Sequence, residues 1–208
     1  MKTRPGIVIS TIIALIIMIS ITVEEKATFA GGCFWCMEPP FEALQGVGEV
    51  VVGYTGGYTE NPSYRDVSAG GTGHYEAIQI KYNPLIVSYE KLLQVYWRQI
   101  DPTDDGGQFV DRGAQYGTAI YYHNQKQNEL AEKSKQELEM SEIFDRPIVT
   151  LILPAVTFYL AEDYHQDYYV KNPDNYDFYK IISGRDLYLS EKSNGKRYTW
   201  WTKNLSGL

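Results

Sequence analysis

Polar and apolar positions alternate along 74–82, with His74, Glu76, Ile78 and Ile80 on one face and Tyr75, Ala77, Gln79 and Lys81 on the other. That period of two predicts a strand with one buried face. A β-branched run over 47–54 predicts a second strand, and short apolar runs at 26–30, 118–122, 148–153 and 156–160 predict four more. Helical spacing takes over after Ser88, a residue suited to an N-cap: Leu92, Leu93, Tyr96 and Trp97 form a stripe that runs on to Ile100. Asn124 caps a charged helix reaching about Met140, and 163–170 predicts a short helix. Another helix opens at about Cys33, where Pro39 and Pro40 are expected to interrupt it before Leu44. Residues 55–73 are rich in turn formers, and 101–115 reads as a polar loop. After Asn172 the periodicity fades into polar and aromatic sequence, expected to wrap the domain as an extended tail. Strands alternating with helices imply an α/β or α+β layered fold.

The N-terminal 25 residues follow a different pattern. Lys2 and Arg4 precede an almost unbroken apolar run from Gly6 to Val23, which reads as the charged and apolar regions of a signal sequence. Eighteen residues is within the range of roughly 17–25 that spans a bilayer, and no small-x-small cleavage site is evident, so a signal anchor and a cleaved signal peptide both fit. With the basic end held in the cytoplasm, the rest of the chain is expected to be exported, periplasmic or extracytoplasmic.

Composition narrows the classes further. The 208 residues carry a net charge of -7, against the clustered cations that a nucleic-acid surface needs. At 44% hydrophobic and 22% charged the chain is ordinary globular material. Its 18 tyrosines, many in polar segments, suggest a cleft lined by rings with polar tips.

Chemistry concentrates in Gly31-Gly32-Cys33-Phe34-Trp35-Cys36, which holds the only two cysteines. A disulfide closing three residues would constrain little of the unfolded chain, so the pair is badly placed as a staple and well placed for redox work. A helix N-terminus favours a thiolate at Cys33, and residues three apart share a helix face with Cβ atoms roughly 5–6 Å apart. Modest distortion brings them to the ~3.5–4.5 Å of a disulfide, so Cys36 can resolve an oxidised Cys33. Two other readings compete. A thioredoxin-type oxidoreductase is disfavoured by the bulky Phe34-Trp35 between the thiols. A zinc module built from the cysteines and two of His74, His123 and His165 is disfavoured by the wide separation of those histidines.

Gly32-Cys33-Phe34-Trp35 resembles the signature of the peptide methionine sulfoxide reductase A family. Further runs match it in order and spacing: 53–58, 61–64, 73–77, 113–116, 161–166 and 171–173. The resemblance covers residues 28–201. It implies a two-layer sandwich with a mixed central sheet flanked by helices and a ferredoxin-like core. It implies reduction of the S epimer of methionine sulfoxide, free or in proteins, with Cys33 as nucleophile and Cys36 as resolving thiol. Glu76 matches the family's proton donor, and Tyr64 and Tyr116 the hydroxyls that hold the sulfoxide oxygen. Phe34 and Trp35 match the pocket for the S-methyl group, and Asp111 an acid that supports the site. No metal or cofactor is implied, the expected reductant is thioredoxin or a thioredoxin-like protein, and the protein is expected to be a monomer. Many family members carry Gly in place of Cys36 and place resolving cysteines near the C-terminus; this tail has none. The division that follows is a leader or anchor at 1–25, a reductase domain at 26–180 and a C-terminal extension at 181–208.

Overall fold

The structure, a computed structural model, describes residues 23–193. In chain order its elements are β1 (Glu25–Gly31), α1 (Phe34–Glu42), β2 (Val47–Thr55), α2 (Tyr64–Ser68), β3 (Tyr75–Tyr82), α3 (Tyr89–Gln99), the two-residue strands β4 (Gly107–Gln108) and β5 (Asp111–Arg112), and a 3-10 turn at Ala114–Tyr116. They continue with β6 (Thr118–Tyr122), α4 (Gln125–Met140), β7 (Leu151–Pro154), β8 (Phe158–Leu160), α5 (Tyr168–Lys171), α6 (Pro173–Ile182) and α7 (Arg185–Ser193). Six strands form one sheet in the order β7-β6-β1-β3-β2-β8. Its centre, β6-β1-β3-β2, is antiparallel throughout and is connected β-α-β-β-α-β, the ferredoxin-like arrangement. The pair β6–β7 is parallel, which makes the sheet mixed.

Burial explains this layering. The face of β3 that carries Ile78 and Ile80 is covered by α1 and α3, whose Met37, Phe41, Leu92, Leu93, Tyr96 and Trp97 are buried in one core. Phe29 of β1 sits between the helices, its ring stacked on Tyr96 at 4.9 Å and on Phe41 at 5.6 Å. Ser88 accepts from the Lys91 N–H at 3.2 Å and Asn124 from the Gln127 N–H at 2.9 Å, so both helices start where their caps predict. Glu76 shares the inward face of β3 with Ile78, Ile80 and Tyr82.

Several expectations need correction. α1 runs through Pro39 and Pro40 instead of stopping before them, because Phe34, Met37 and Phe41 are anchored in the core on either side of the prolines. The strands expected at 148–153 and 156–160 begin only at Leu151 and Phe158, and the helix expected at 163–170 forms at Tyr168–Lys171. The segment 55–73 contains α2, closed by a capping box between Ser63 and Asp66. The described residues after Asn172 form two helices, not an extended tail; α6 opens with Pro173 at its first turn, and α7 carries Arg185 into the interior at 2% exposure. Among the described residues no helix is long and apolar enough to cross a membrane, and the expected leader or anchor lies almost wholly outside them.

Candidate active site

β1 delivers the chain to the site and stops there. Gly32 has φ +80°, and a Cβ on it would lie 2.6 Å from the Cβ of Gln108, so glycine is required on both conformational and steric grounds. Cys33 follows as the N-cap of α1, and the Cys36 N–H donates to its carbonyl at 3.1 Å. Both cysteines are buried and unbridged, with their thiols in hydrogen-bond contact.

Glu76 arrives from β3. The Phe34 N–H at the start of α1 donates to its Oε2 at 3.1 Å, which fixes the carboxyl beside Cys33. The residue is 2% exposed, and burial pushes its pKa up to about 8, so at neutral pH it is mostly a carboxylic acid. Tyr64 is held at the start of α2, where its N–H donates to Glu162 Oε1 at 2.9 Å. Tyr116 closes the 3-10 turn. Among the described residues neither tyrosine hydroxyl has a hydrogen-bond partner from the protein; burial pushes Tyr64 up to about 12 and raises Tyr116 too, so both remain donors.

The structure brings Cys33, Phe34, Trp35, Tyr64, Glu76, Asp111 and Tyr116 to one cleft, with Cys36 behind Cys33. Trp35 forms a wall of it, stacked on Tyr168 at 3.8 Å and 6° and donating from Nε1 to His165 Nδ1 at 3.1 Å. Burial lowers the His165 pKa, so the ring is neutral at pH 7. His74 and His123 are engaged elsewhere: His74 with the Gly57 N–H and the Thr59 carbonyl, His123 with Thr28 Oγ1. No histidine therefore joins the cysteines as a zinc set. Glu38, Glu42 and Asp167 bring carboxylate oxygens within 4.8 Å of one another, but Tyr169 already donates to Glu42 and Lys171 lies 3.7 Å from Asp167.

Sequence reasoning missed Tyr179. This residue of α6 completes the cleft, donates its hydroxyl to Asp111 Oδ2 and reaches Cys33. Its signal was legible: Pro173 after Asn172, followed by Tyr176, Tyr179 and Ser183 at helical spacing.

The thiols also depart from expectation. Burial pushes Cys33 well above its ordinary pKa, and its hydrogen bond to Cys36 holds the proton on it. That same bond lowers Cys36. Whatever the first turn of α1 contributes, desolvation outweighs it at Cys33. The bond between them therefore has Cys33 as donor and Cys36 as acceptor, which favours the thiolate at Cys36 over Cys33.

Comparison with known proteins places this arrangement. A family model described as peptide methionine sulfoxide reductase matches residues 25–197. The chain is 58% identical to a Bacillus velezensis protein named peptide methionine sulfoxide reductase MsrA, over 81% of this chain and 95% of that one. A Bacillus subtilis protein of the same name is 58% identical over 83% and 98%. Among solved structures, reduced Mxr1 from Saccharomyces cerevisiae superposes with a TM-score of 0.68 at 32% identity, covering 72% of this chain and 86% of that one. Methionine sulfoxide reductase A of Corynebacterium diphtheriae gives 0.63 at 34%, covering 72% and 76%.

Proposed function

The chain belongs to the peptide methionine sulfoxide reductase family, and from that premise we propose that it reduces the S epimer of methionine sulfoxide through a Cys33 sulfenic acid and a Cys33–Cys36 disulfide. The observation that carries this reading is Glu76: a buried carboxylic acid with a pKa of about 8, fixed beside Cys33.

A sulfoxide sulfur is a poor electrophile until its oxygen is protonated or strongly hydrogen-bonded. Phe34 and Trp35 receive the S-methyl group, while the free hydroxyls of Tyr64 and Tyr116 point their donors at the oxygen. Glu76 gives the oxygen its proton as Cys33 sulfur attacks, so the S–O bond breaks, methionine leaves and Cys33 becomes a sulfenic acid. Because Cys33 begins as a thiol, its own proton leaves as the polarised sulfoxide draws on its electron pair, and the Glu76 carboxylate left by the first transfer, fixed beside Cys33, is the acceptor. Cys36 then attacks the sulfenic sulfur, water departs and the disulfide forms. A thioredoxin-like dithiol returns both sulfurs to thiols by exchange. Asp111, held by Tyr179, orders the rim of the cleft.

The segment from Gly6 to Val23 supports a role outside the cytoplasm, in repair of exported proteins and of free methionine sulfoxide. Protease accessibility of the domain in intact cells tests that placement; protection from protease would reject it.

The mechanism is tested by counting thiols after one turnover with a resolved sulfoxide epimer. Wild type is expected to lose two thiols and Cys36→Ser one. Equal losses would remove Cys36 from the cycle, and turnover of the opposite epimer would reject the stereochemical assignment.

A further inference from the structure

The two helices after Asn172 place one cation against the backbone and side chains that flank the redox pair. Arg185, the first residue of α7, is 2% exposed. Its Nη2 donates to the Gly31 carbonyl at 2.9 Å, and its Nη1 donates to the Gln99 carbonyl at 2.5 Å and touches Met37 Sδ at 3.6 Å. The guanidinium lies 4.8 Å from the centre of the Phe109 ring. These contacts surround the cysteine turn, since Gly31 precedes Cys33 by two residues and Met37 follows Cys36. A Cβ on Gly32 would lie 3.0 Å from Nη2, so the backbone is packed directly against the cation.

Every one of those partners is neutral. Among the described residues no carboxylate lies within ion-pair distance of Arg185: Asp111 feels its charge but takes its hydrogen bond from Tyr179, and Lys180 and Asp186 pair with each other at 3.3 Å. A buried charge without a counter-ion is costly, and an aliphatic side chain of similar volume would fill the space without that cost. The charge is compensated if an anion forms close by, and the catalytic cycle makes one. We propose that Arg185 is a positioning residue that serves as the buried counter-charge of the Cys36 thiolate, holding the resolving sulfur ready to attack the Cys33 sulfenic acid.

The field at Cys36 fits this assignment. Cys33 lowers Cys36 by donating its hydrogen bond, Arg185 and Lys180 lower it through their charges, and Asp111 and burial oppose them. Glu76 and Tyr176 also face Cys36, and both are protonated at neutral pH. Arg185 acts on Cys36 more strongly than Lys180 does, and its buried setting screens it least. In the resolving step the Cys36 thiolate attacks Cys33–SOH, the S–O bond breaks, and the leaving hydroxide takes the Glu76 proton and departs as water. The step consumes the anion that Arg185 stabilises. The first step, oxygen transfer to Cys33, does not use it.

This inference rests on the proposed role of Cys36, and its test is kept independent of turnover. In a Cys33→Ser background Cys36 is the sole thiol, and the pH dependence of its alkylation by iodoacetamide gives its titration midpoint. Arg185→Gln keeps N–H donors and removes the charge, whereas Arg185→Lys keeps the charge. The midpoint is expected to rise by about one unit in Arg185→Gln, a tenfold loss of thiolate at pH 7, and to stay near the parent value in Arg185→Lys. In chains that retain Cys33, Arg185→Gln is expected to slow loss of the second thiol about tenfold and leave the rate of methionine release unchanged. An unshifted midpoint in Arg185→Gln overturns the proposal, as does a full-unit rise in Arg185→Lys. The Lys variant alone decides the matter if the Gln variant does not fold. A reading that fails because Cys36 is idle shows instead as a single thiol lost in wild type.

Discussion

Replacing Glu76 by Gln isolates the proton from everything else that residue does. Gln is close in shape to the protonated carboxyl, and its carbonyl oxygen can keep the 3.1 Å bond from the Phe34 N–H, so the strand and the first turn of α1 are expected to remain in place. Only the transferable proton is lost. With a pKa of about 8, roughly nine-tenths of the wild-type site holds that proton at pH 7. General acid catalysis is worth about 10²–10⁴ in rate, or about 3–5 kcal/mol at 1.36 kcal/mol per tenfold. Single-turnover methionine release with the S epimer, measured from pH 6 to 10, is the assay. Wild type is expected to lose rate tenfold per unit above about pH 8 as the acid ionises, and Glu76→Gln to run at least a hundredfold lower with no descending limb there. A variant that keeps a third of wild-type activity, or that retains the fall near pH 8, would refute Glu76 as the donor.

Three further changes test neighbouring parts of the argument. Tyr64→Phe and Tyr116→Phe each remove a hydroxyl donor and should each cost about 10²–10³ in kcat with little change in KM, since loss of a transition-state donor has that scale; a change confined to KM would make them binding groups only. Tyr179→Phe removes a hydrogen bond that holds Asp111 down against burial, so the Asp111 pKa should rise further, detectable as a moved carboxyl resonance; an unmoved resonance would detach Tyr179 from the site. Glu38 is pushed up to about 8 by burial, so its contribution to stability is complete below about pH 4.5 and is lost as pH rises through 8. Glu38→Gln should therefore lose less melting temperature than wild type between pH 5 and 9, and parallel curves would exclude the effect.

The parts of the fold that sequence reveals are those where local chemistry and burial agree. Ser88 and Asn124 cap their helices, and the stripe through Leu92, Leu93, Tyr96 and Trp97 is the buried one. Alternation on β3 was equally legible because Ile78 and Ile80 mark the inward face, which also places Glu76 inside. Legibility fails where tertiary contacts override local preference. Pro39 and Pro40 argue against a helix, yet aromatic anchors on both sides hold one. The strands β4 and β5 have two residues each, too few for any period. In α6 and α7 the apolar Phe178, Ile181, Ile182 and Leu187 are exposed while Arg185 is buried, so a hydrophobic pattern points the wrong way. For Tyr179 on α6 the legible signal was not apolar but Pro173 and the helical spacing of Tyr176, Tyr179 and Ser183. The state of the thiols was illegible for a different reason: a helix terminus can be read from sequence, but the burial that outweighs it at Cys33 cannot.

The prolines inside α1 bear on how the helix moves during turnover. A disulfide between residues three apart asks the first turn of a helix to deform, and in an ordinary helix that deformation must break amide bonds to the carbonyls of the turn. Pro39 and Pro40 have no N–H to give the carbonyls of Trp35 and Cys36. The turn carrying Cys36 is thus already slack toward its C-terminal side, while Met37 and Phe41 keep the helix fixed in the core. Opening and closing the sulfur bridge then flexes one short hinge and leaves the sheet, the acid and the tyrosines where they stand for the next substrate.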